Sequence, residues 1–368
     1  MDVSEAELAA MHRALALAET VRGRTSPNPA VGAVILDPSG HLAGEGATAP
    51  PGGPHAEVVA LAAAGAAARG GTAVITLEPC AHTGRTGPCT EALLEAGIAR
   101  VLYAVDDPNP EAAGGADRLR AAGVQVRGGI ESRAAAEGAL RPWLHTMRTG
   151  RPFVTWKFAA TLDGRVAAAD HTSRWISSPA SRADVHVLRG TVDAVVVGSG
   201  TVLYDDPWLT VRAGDRLAGR QPLRVVLDRR HRVPQGARVL DSAAETLILD
   251  TAVPQFALKA LVDRGVRHVL LEGGPTLAGA FIEARCVDEV VAYLAPTLLG
   301  AGPVALGDAG IGTLAEAAAL DIESVTRLGP DLKVTARPRT VGDYADDYGN
   351  DGGTTATDGA PGASDPEE

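Results

Sequence analysis

Short apolar strand runs alternate with helical patterns along most of this chain, and that alternation restricts it to layered α/β architecture. In the first part, strand runs fall at 30–36, 72–77 and 100–105, with helical patterns at 4–21, 55–68 and 90–96. A second alternation starts near Pro152. Its strand runs lie at 153–158, 194–198, 223–227, 246–249, 268–271 and 289–294, with helices expected at 180–189, 257–264 and 276–284. The joint falls in Arg148-Thr149-Gly150-Arg151-Pro152. Two domains are therefore expected, over 1–148 and 149–337, and a length of 368 residues agrees with that division. Residues 338–368 hold eight acidic residues, one arginine and few large apolar side chains, so an acidic disordered tail is expected there.

That tail accounts for most of the net charge of −11. The remaining body is nearly balanced and shows no basic stripe for nucleic acid. With no run of 18 apolar residues, a membrane span is not expected. The opening MDVSEAELAA lacks the basic and apolar regions of a secretory signal. Three cysteines are too few for a disulfide scaffold. Together these features lead to the expectation of a cytoplasmic protein.

The chemistry concentrates in His55-Ala56-Glu57, Pro79-Cys80 and Cys89. Zinc takes imidazole and thiolate ligands, and a catalytic site keeps a fourth position open for water. His55, Cys80 and Cys89 supply three ligands. Glu57 is then spare, and the pattern His-x-Glu…Pro-Cys-x-x-Cys marks zinc nucleobase deaminases, whose Glu moves protons and binds no metal. Eight residues separate the two cysteines here, where that pattern has two. Two buried inert cysteines or a structural zinc are the bland alternatives. Against them, both cysteines sit in Gly/Pro/Thr-rich sequence, and a structural zinc leaves Glu57 without a role. His82 is open to a fourth-ligand, substrate or loop role. Cys286, beside Val287 on a helical pattern, reads as packing.

An ordered series of motifs surrounds these residues: Thr25-Ser26-Pro27-Asn28-Pro29-Ala30-Val31-Gly32, Gly53-Pro54-His55-Ala56-Glu57, Thr76-Leu77-Glu78-Pro79-Cys80, 82–89 and Asp107-Pro108-Asn109-Pro110. In the second half stand Lys157 to Arg165 (KFAATLDGR), Ser173-Arg174-Trp175-Ile176-Ser177, Gly200 to Arg212 (GTVLYDDPWLTVR) and Glu272 to Ala280 (EGGPTLAGA). Over roughly residues 5–335 the chain resembles the bifunctional riboflavin-biosynthesis deaminase–reductases, in which the long inter-cysteine loop is the family's own variant. The resemblance implies a cytidine-deaminase-like α/β/α layer followed by a dihydrofolate-reductase-like α/β domain. It also implies Zn²⁺ and NADPH as cofactors and a small phosphoribosylated pyrimidine as substrate, deaminated first and then reduced from ribosyl to ribityl. Nucleic acid and membrane are not expected partners, and self-association is left open.

Carried over position by position, the resemblance puts Glu57 in catalysis, His55, Cys80 and Cys89 on the metal, and Asn28 at the substrate. It puts Ala159, Trp175, Thr201, Asp205 and the run Gly274, Pro275, Thr276, Leu277, Ala278, Gly279 and Ala280 at NADPH. Lys157, Ser173, Arg189, Leu209, Arg212 and Glu272 go to the reductase substrate. The physical chemistry of these residues is less specific. A glycine turn opening a helix presents N–H groups to phosphate, but it also serves as a plain turn. Arginine matches phosphate bidentately, yet the chain has 31 of them. Lys157 in an apolar strand needs a partner or a ligand, whereas Trp175 is by base rate a core residue. Four departures stand out: Ala47-Thr48 where the family often has Tyr-His, Gly87 in place of a proline, a stretch at 112–116 one residue short, and Arg229 in place of a small hydroxyl residue. The rival reading is a single-function zinc nucleobase or tRNA deaminase with a non-catalytic second domain.

Overall fold

A computed structural model describes residues 2–81, 87–110 and 112–339. His82 and residues 340–368 lie outside the described residues, so the expectations for His82 and for most of the tail lie outside them too.

The first unit opens with α1 (Glu5–Thr20), β1 (Gly32–Leu36), β2 (Leu42–Ala47) and α2 (Ala56–Ala64). It continues with β3 (Thr72–Leu77), α3 (Cys89–Glu95), β4 (Arg100–Val105), α4 (Gly115–Ala121) and β5 (Gln125–Arg127). Helices α5 (Ser132–Glu137) and α6 (Arg141–Thr149) close it. The sheet order is β2-β1-β3-β4-β5, with β1 antiparallel to both β2 and β3 and the rest parallel. Helices cover both faces. A Cβ on Gly32 would stand 1.9 Å from the Ala14 carbonyl oxygen of α1. One on Gly44 would stand 2.4 Å from the Ala60 carbonyl oxygen of α2. Gly44 pairs with Ile35, three residues on from Gly32, and period-2 alternation therefore puts α1 and α2 on opposite faces. The sequence pattern does not predict strand β2. Its LAGEGA carries glycine where α2 packs directly on the backbone, which removes the apolar alternation that marks a strand.

The second unit begins with β6 (Phe153–Thr161), α7 (Pro179–Gly190), β7 (Ala194–Gly198) and α8 (Ser199–Asp205). A small hairpin, β8 (Arg212–Ala213) and β9 (Arg216–Leu217), precedes β10 (Leu223–Leu227), β11 (Thr246–Leu249) and α9 (Pro254–Val262). Then come β12 (His268–Leu271), α10 (Pro275–Glu283), β13 (Glu289–Ala295), β14 (Leu320–Leu328) and β15 (Asp331–Pro338). The eight-stranded order is β11-β10-β7-β12-β6-β13-β15-β14, parallel except for the last two pairings, in which β15 runs antiparallel to both neighbours. Strand β15 runs through Pro338, and the Arg339 N–H donates to the Ala319 carbonyl at 2.9 Å. The sheet thus extends past Arg337, where the tail was expected to start.

Helix α6 sends Trp143 and Leu144 into the first core and ends at Gly150 with φ 72°. The units meet closely. The Asp193 carboxylate accepts from the Ser26 hydroxyl at 2.8 Å and from the backbone N–H groups of Arg267 and His268 at 2.8 and 2.9 Å. Arg141 of α6 pairs with Glu289 of β13 at 3.1 Å. Arg151 grips Asp288 with two nitrogens, at 2.6 and 2.7 Å.

Candidate active site

His55 is the N-cap of α2 and Glu57 lies in its first turn. Cys80 follows β3, and Cys89 is the first residue of α3. Sheet and helix ends thus bring together residues 25 and 34 positions apart from His55. The His55 Nδ1 lies 3.2 Å from the Cys89 Sγ and 3.7 Å from the Cys80 Sγ, and all three ligand atoms fall within 4.8 Å of one another. Zn–S and Zn–N bonds of about 2.3 and 2.0 Å at a tetrahedral angle put N and S roughly 3.5 Å apart, so this donor set fits zinc. The backbone N–H of Cys89 donates to the Cys80 Sγ at 3.4 Å. The Cys80 thiol is pulled down to about 4, first by hydrogen bonding from Cys89 and then by His55. A thiolate is the form a metal binds. Burial pushes the Glu57 carboxyl up, and that side chain is 5% exposed.

Asn28, Thr48, His55, Glu57 and Cys80 line one cavity of about 400 Å³, which also reaches Trp143, Met147 and Arg267. Thr48, at the Tyr-His departure, faces this cavity, but its hydroxyl already receives the Val31 N–H at 3.1 Å. Two supports of the site are given no role by the sequence reading. The buried Glu78 carboxylate accepts the N–H groups of Asp107 and Ala116, at 3.1 and 2.9 Å, and so ties the loop after β4 and the start of α4 beside Cys80. Gly115 lets α4 approach: a Cβ there would stand 1.7 Å from the Pro79 carbonyl oxygen.

In the second unit, Lys157 and Arg189 converge on Glu272. The Lys157 Nζ is 3.2 Å and the Arg189 Nη2 3.0 Å from Glu272 Oε2, and the Arg189 Nε binds the other oxygen. Burial pushes the Glu272 carboxyl up, but Arg189 and Lys157 outweigh it and hold the group well below the usual carboxylate range. Ser173 donates to Asp205 at 3.3 Å. The Arg212 guanidinium lies 5.3 Å from the Trp208 ring. Ala159 lies on the Lys157 face of β6.

Helices α8 and α10 both start at C-terminal ends of neighbouring parallel strands, β7 and β12. Gly200 has open space where a Cβ would point, and at Gly274 the nearest group is the Thr201 hydroxyl at 3.9 Å. Such paired helix starts with bare backbone suit a dinucleotide's phosphates. Thr276 is exposed, while Pro275, Leu277 and Ala280 are half-buried.

The structure corrects the base-rate reading of Trp175 as a core residue and shows how Leu209, Ala278 and Gly279 pack. Trp175 is 69% exposed, with Arg182 4.4 Å from its ring centroid, so it is no core residue. Leu209, expected at the substrate, is 3% exposed and packs with Val202 and Val239 in the core at φ 53°. Within the cofactor run, the Ala278 side chain is fully buried, and Gly279 is needed where α10 meets the Asp308 backbone, with a Cβ placed 1.9 Å from that oxygen.

The first part matches the family model described as the cytidine and deoxycytidylate deaminase zinc-binding region over residues 4–105, and residues 152–334 match the RibD C-terminal domain. The riboflavin biosynthesis protein RibD of Mycobacterium tuberculosis (strain ATCC 25618 / H37Rv) is 52% identical over 324 residues, covering 88% of this chain and 95% of its own. The chain belongs to the RibD family. RibD of Escherichia coli (strain K12) is 40% identical over 88% of this chain and 96% of its own. The structure of Acinetobacter baumannii RibD superposes with a TM-score of 0.84 at 37% identity, covering 91% of this chain and 99% of that one. Like RibD, the chain is a bifunctional deaminase and reductase of riboflavin biosynthesis that uses zinc and NADPH. Its fold is the cytidine-deaminase-like layer followed by the reductase-type α/β domain. The single-function deaminase reading falls, because the RibD C-terminal model covers the second half. No helix among the described residues is long and apolar enough to cross a membrane.

Purified protein is expected to carry about one zinc per chain. Metal analysis of Cys80→Ser should find most of it gone; full retention would remove the proposed ligand set.

Proposed function

We propose that residues 1–148 hydrolyse the 2-amino group of 2,5-diamino-6-(5-phosphoribosylamino)pyrimidin-4-one, and that residues 149–337 then reduce the ribosyl group to ribityl. The carrying observation is that His55, Cys80 and Cys89 form one ligand cluster, and that His55, Cys80 and the spare acid Glu57 line the same cavity. His55 Nδ1 and the two Sγ atoms hold the zinc, which when bound supplies the Lewis acidity that makes water nucleophilic near neutral pH. Glu57 takes a proton from the attacking water, passes it to the ring nitrogen, and serves the departing amine in turn. Asn28 orients the pyrimidine on the same wall. Ammonia leaves and a ring carbonyl remains.

In the reductase half, NADPH when bound supplies the hydride. Thr201, Gly274, Pro275 and Thr276 offer the helix starts for its phosphates, with Ala159, Trp175, Asp205, Leu277 and Ala280 around it. Lys157, held by Glu272, faces the ribosyl group, while Ser173, Arg189 and Arg212 complete the substrate side. Hydride adds to the ribosyl C1′, the ring C–O bond opens, and its oxygen takes a proton. The reading includes a cytoplasmic setting without nucleic acid or membrane partners.

The test is incubation with the phosphoribosylated pyrimidine, following ammonia and NADPH oxidation separately. Ammonia should appear without NADPH, and NADPH should be consumed only after ammonia release begins. Either activity missing would overturn the corresponding half.

A further inference from the structure

The cavity of the first unit is rich in acids and short of cations. Glu57, Glu78 and Asp107 line it, and among the described residues Arg267 is the only Lys or Arg that does. Arg267 belongs to the second unit, one residue before β12. A phosphate placed in this space would meet those carboxylates, and Arg267 offers it a cation from the second unit.

Arg267 has unspent hydrogen-bonding capacity. Its Nη1 makes only long contacts to the Val262 and Val266 carbonyls, at 3.3 and 3.4 Å. Its Nε is buried without a partner. Its own backbone is fixed by the Asp193 carboxylate, which also takes the Ser26 hydroxyl. That one carboxylate therefore locks Arg267 against the loop carrying Pro27 and Asn28, both of which line the cavity. The backbone that carries the guanidinium is thus fixed beside the cavity, and a planar guanidinium held elsewhere only by long contacts matches phosphate.

We propose that Arg267, supplied by the second unit, binds the substrate's phosphate in the deaminase cavity and sets the preference for phosphorylated substrate. The proposal rests on the deaminase reading of that cavity. It makes the second unit part of the deaminase site, apart from its own reductase chemistry. Burial weakens the cationic form of Arg267, and a bound dianion would restore it.

The experiment measures ammonia release by Arg267→Gln and Arg267→Lys on the phosphorylated substrate and on its dephosphorylated form. A lost charge-assisted hydrogen bond to phosphate should raise KM roughly tenfold or more in Arg267→Gln, with kcat nearly unchanged. On the dephosphorylated form that variant should match wild type, and Arg267→Lys should recover much of the lost affinity. NADPH oxidation with deaminated substrate, as a check on folding, should be unaltered. Wild-type KM in Arg267→Gln, or an equal rise on both substrates, would overturn the proposal, the second by marking a merely structural role. Wild-type protein that releases no ammonia would instead overturn the deaminase reading, and the proposal with it.

Discussion

Glu57→Gln is expected to keep its zinc and its fold while ammonia release falls by about 10²-fold or more. Gln preserves the size of the side chain and one acceptor oxygen, but it cannot carry a proton. General acid–base groups contribute roughly 10²–10⁴-fold, and Glu57 would serve several transfers in one turnover. The side chain is buried beside the ligands yet is not one of them. Metal content should therefore stay near one zinc per chain. The cluster of Lys157, Arg189 and Glu272 belongs to the other sheet, so the variant should still oxidise NADPH when handed deaminated substrate. Near-normal ammonia release from a folded, zinc-loaded variant would remove Glu57 from the mechanism. Loss of NADPH oxidation on deaminated substrate would show that the two sites are not separable.

The zinc constellation is legible in the sequence because metal chemistry restricts residue types. Few side chains ligate zinc, and an acid two residues from a ligating His is placed to handle the protons of a metal-bound water. The central strands are legible for a different reason. β3, β7, β10 and β12 are predominantly apolar runs, as expected for strands covered on both faces. What stays hidden depends on distant partners. The glycines of β2 make sense only once α2 lies across them. Strand β14 is exposed nearly throughout, so no apolar run announces it. An apolar strand around Lys157 signals the need for a partner, but that partner is Glu272, 115 residues on. Leu209 sits within a motif whose resemblance implies ligand contacts, and its side chain turns into the core, a distinction that spacing does not carry. Arg267 gives no signal at all, since its place on the first unit's cavity arises only when Asp193 joins the two units.

Replacing Glu272 should be the most damaging single change in the second unit. Its carboxylate is the shared counter-charge for Lys157 on β6 and Arg189 on α7, and the three side chains are 7%, 16% and 15% exposed respectively. Glu272→Gln keeps the shape and leaves two buried cations without their anion. Breaking a buried pair from one side costs about 3–5 kcal/mol, because the remaining charge stays desolvated. Chemical denaturation should show the loss in the transition of the second unit. The pH dependence separates this cause from simple misfit. The Glu272 carboxyl is held below its ordinary value in the fold by Arg189 and Lys157, against the upward push of burial. The unfolded chain then binds its proton first as pH falls, so this contribution is full above an unfolded value of about 4.3 and fades below it. The gap between wild type and Glu272→Gln should therefore be widest near neutrality and should narrow as the solution is acidified through that range. Lys157 and Arg189 would also lose the anion that orients them, so NADPH oxidation should fall while ammonia release continues. A variant as stable as wild type at pH 7, or a stability gap that does not change on acidification, would show that the three charges do not act as one buried unit.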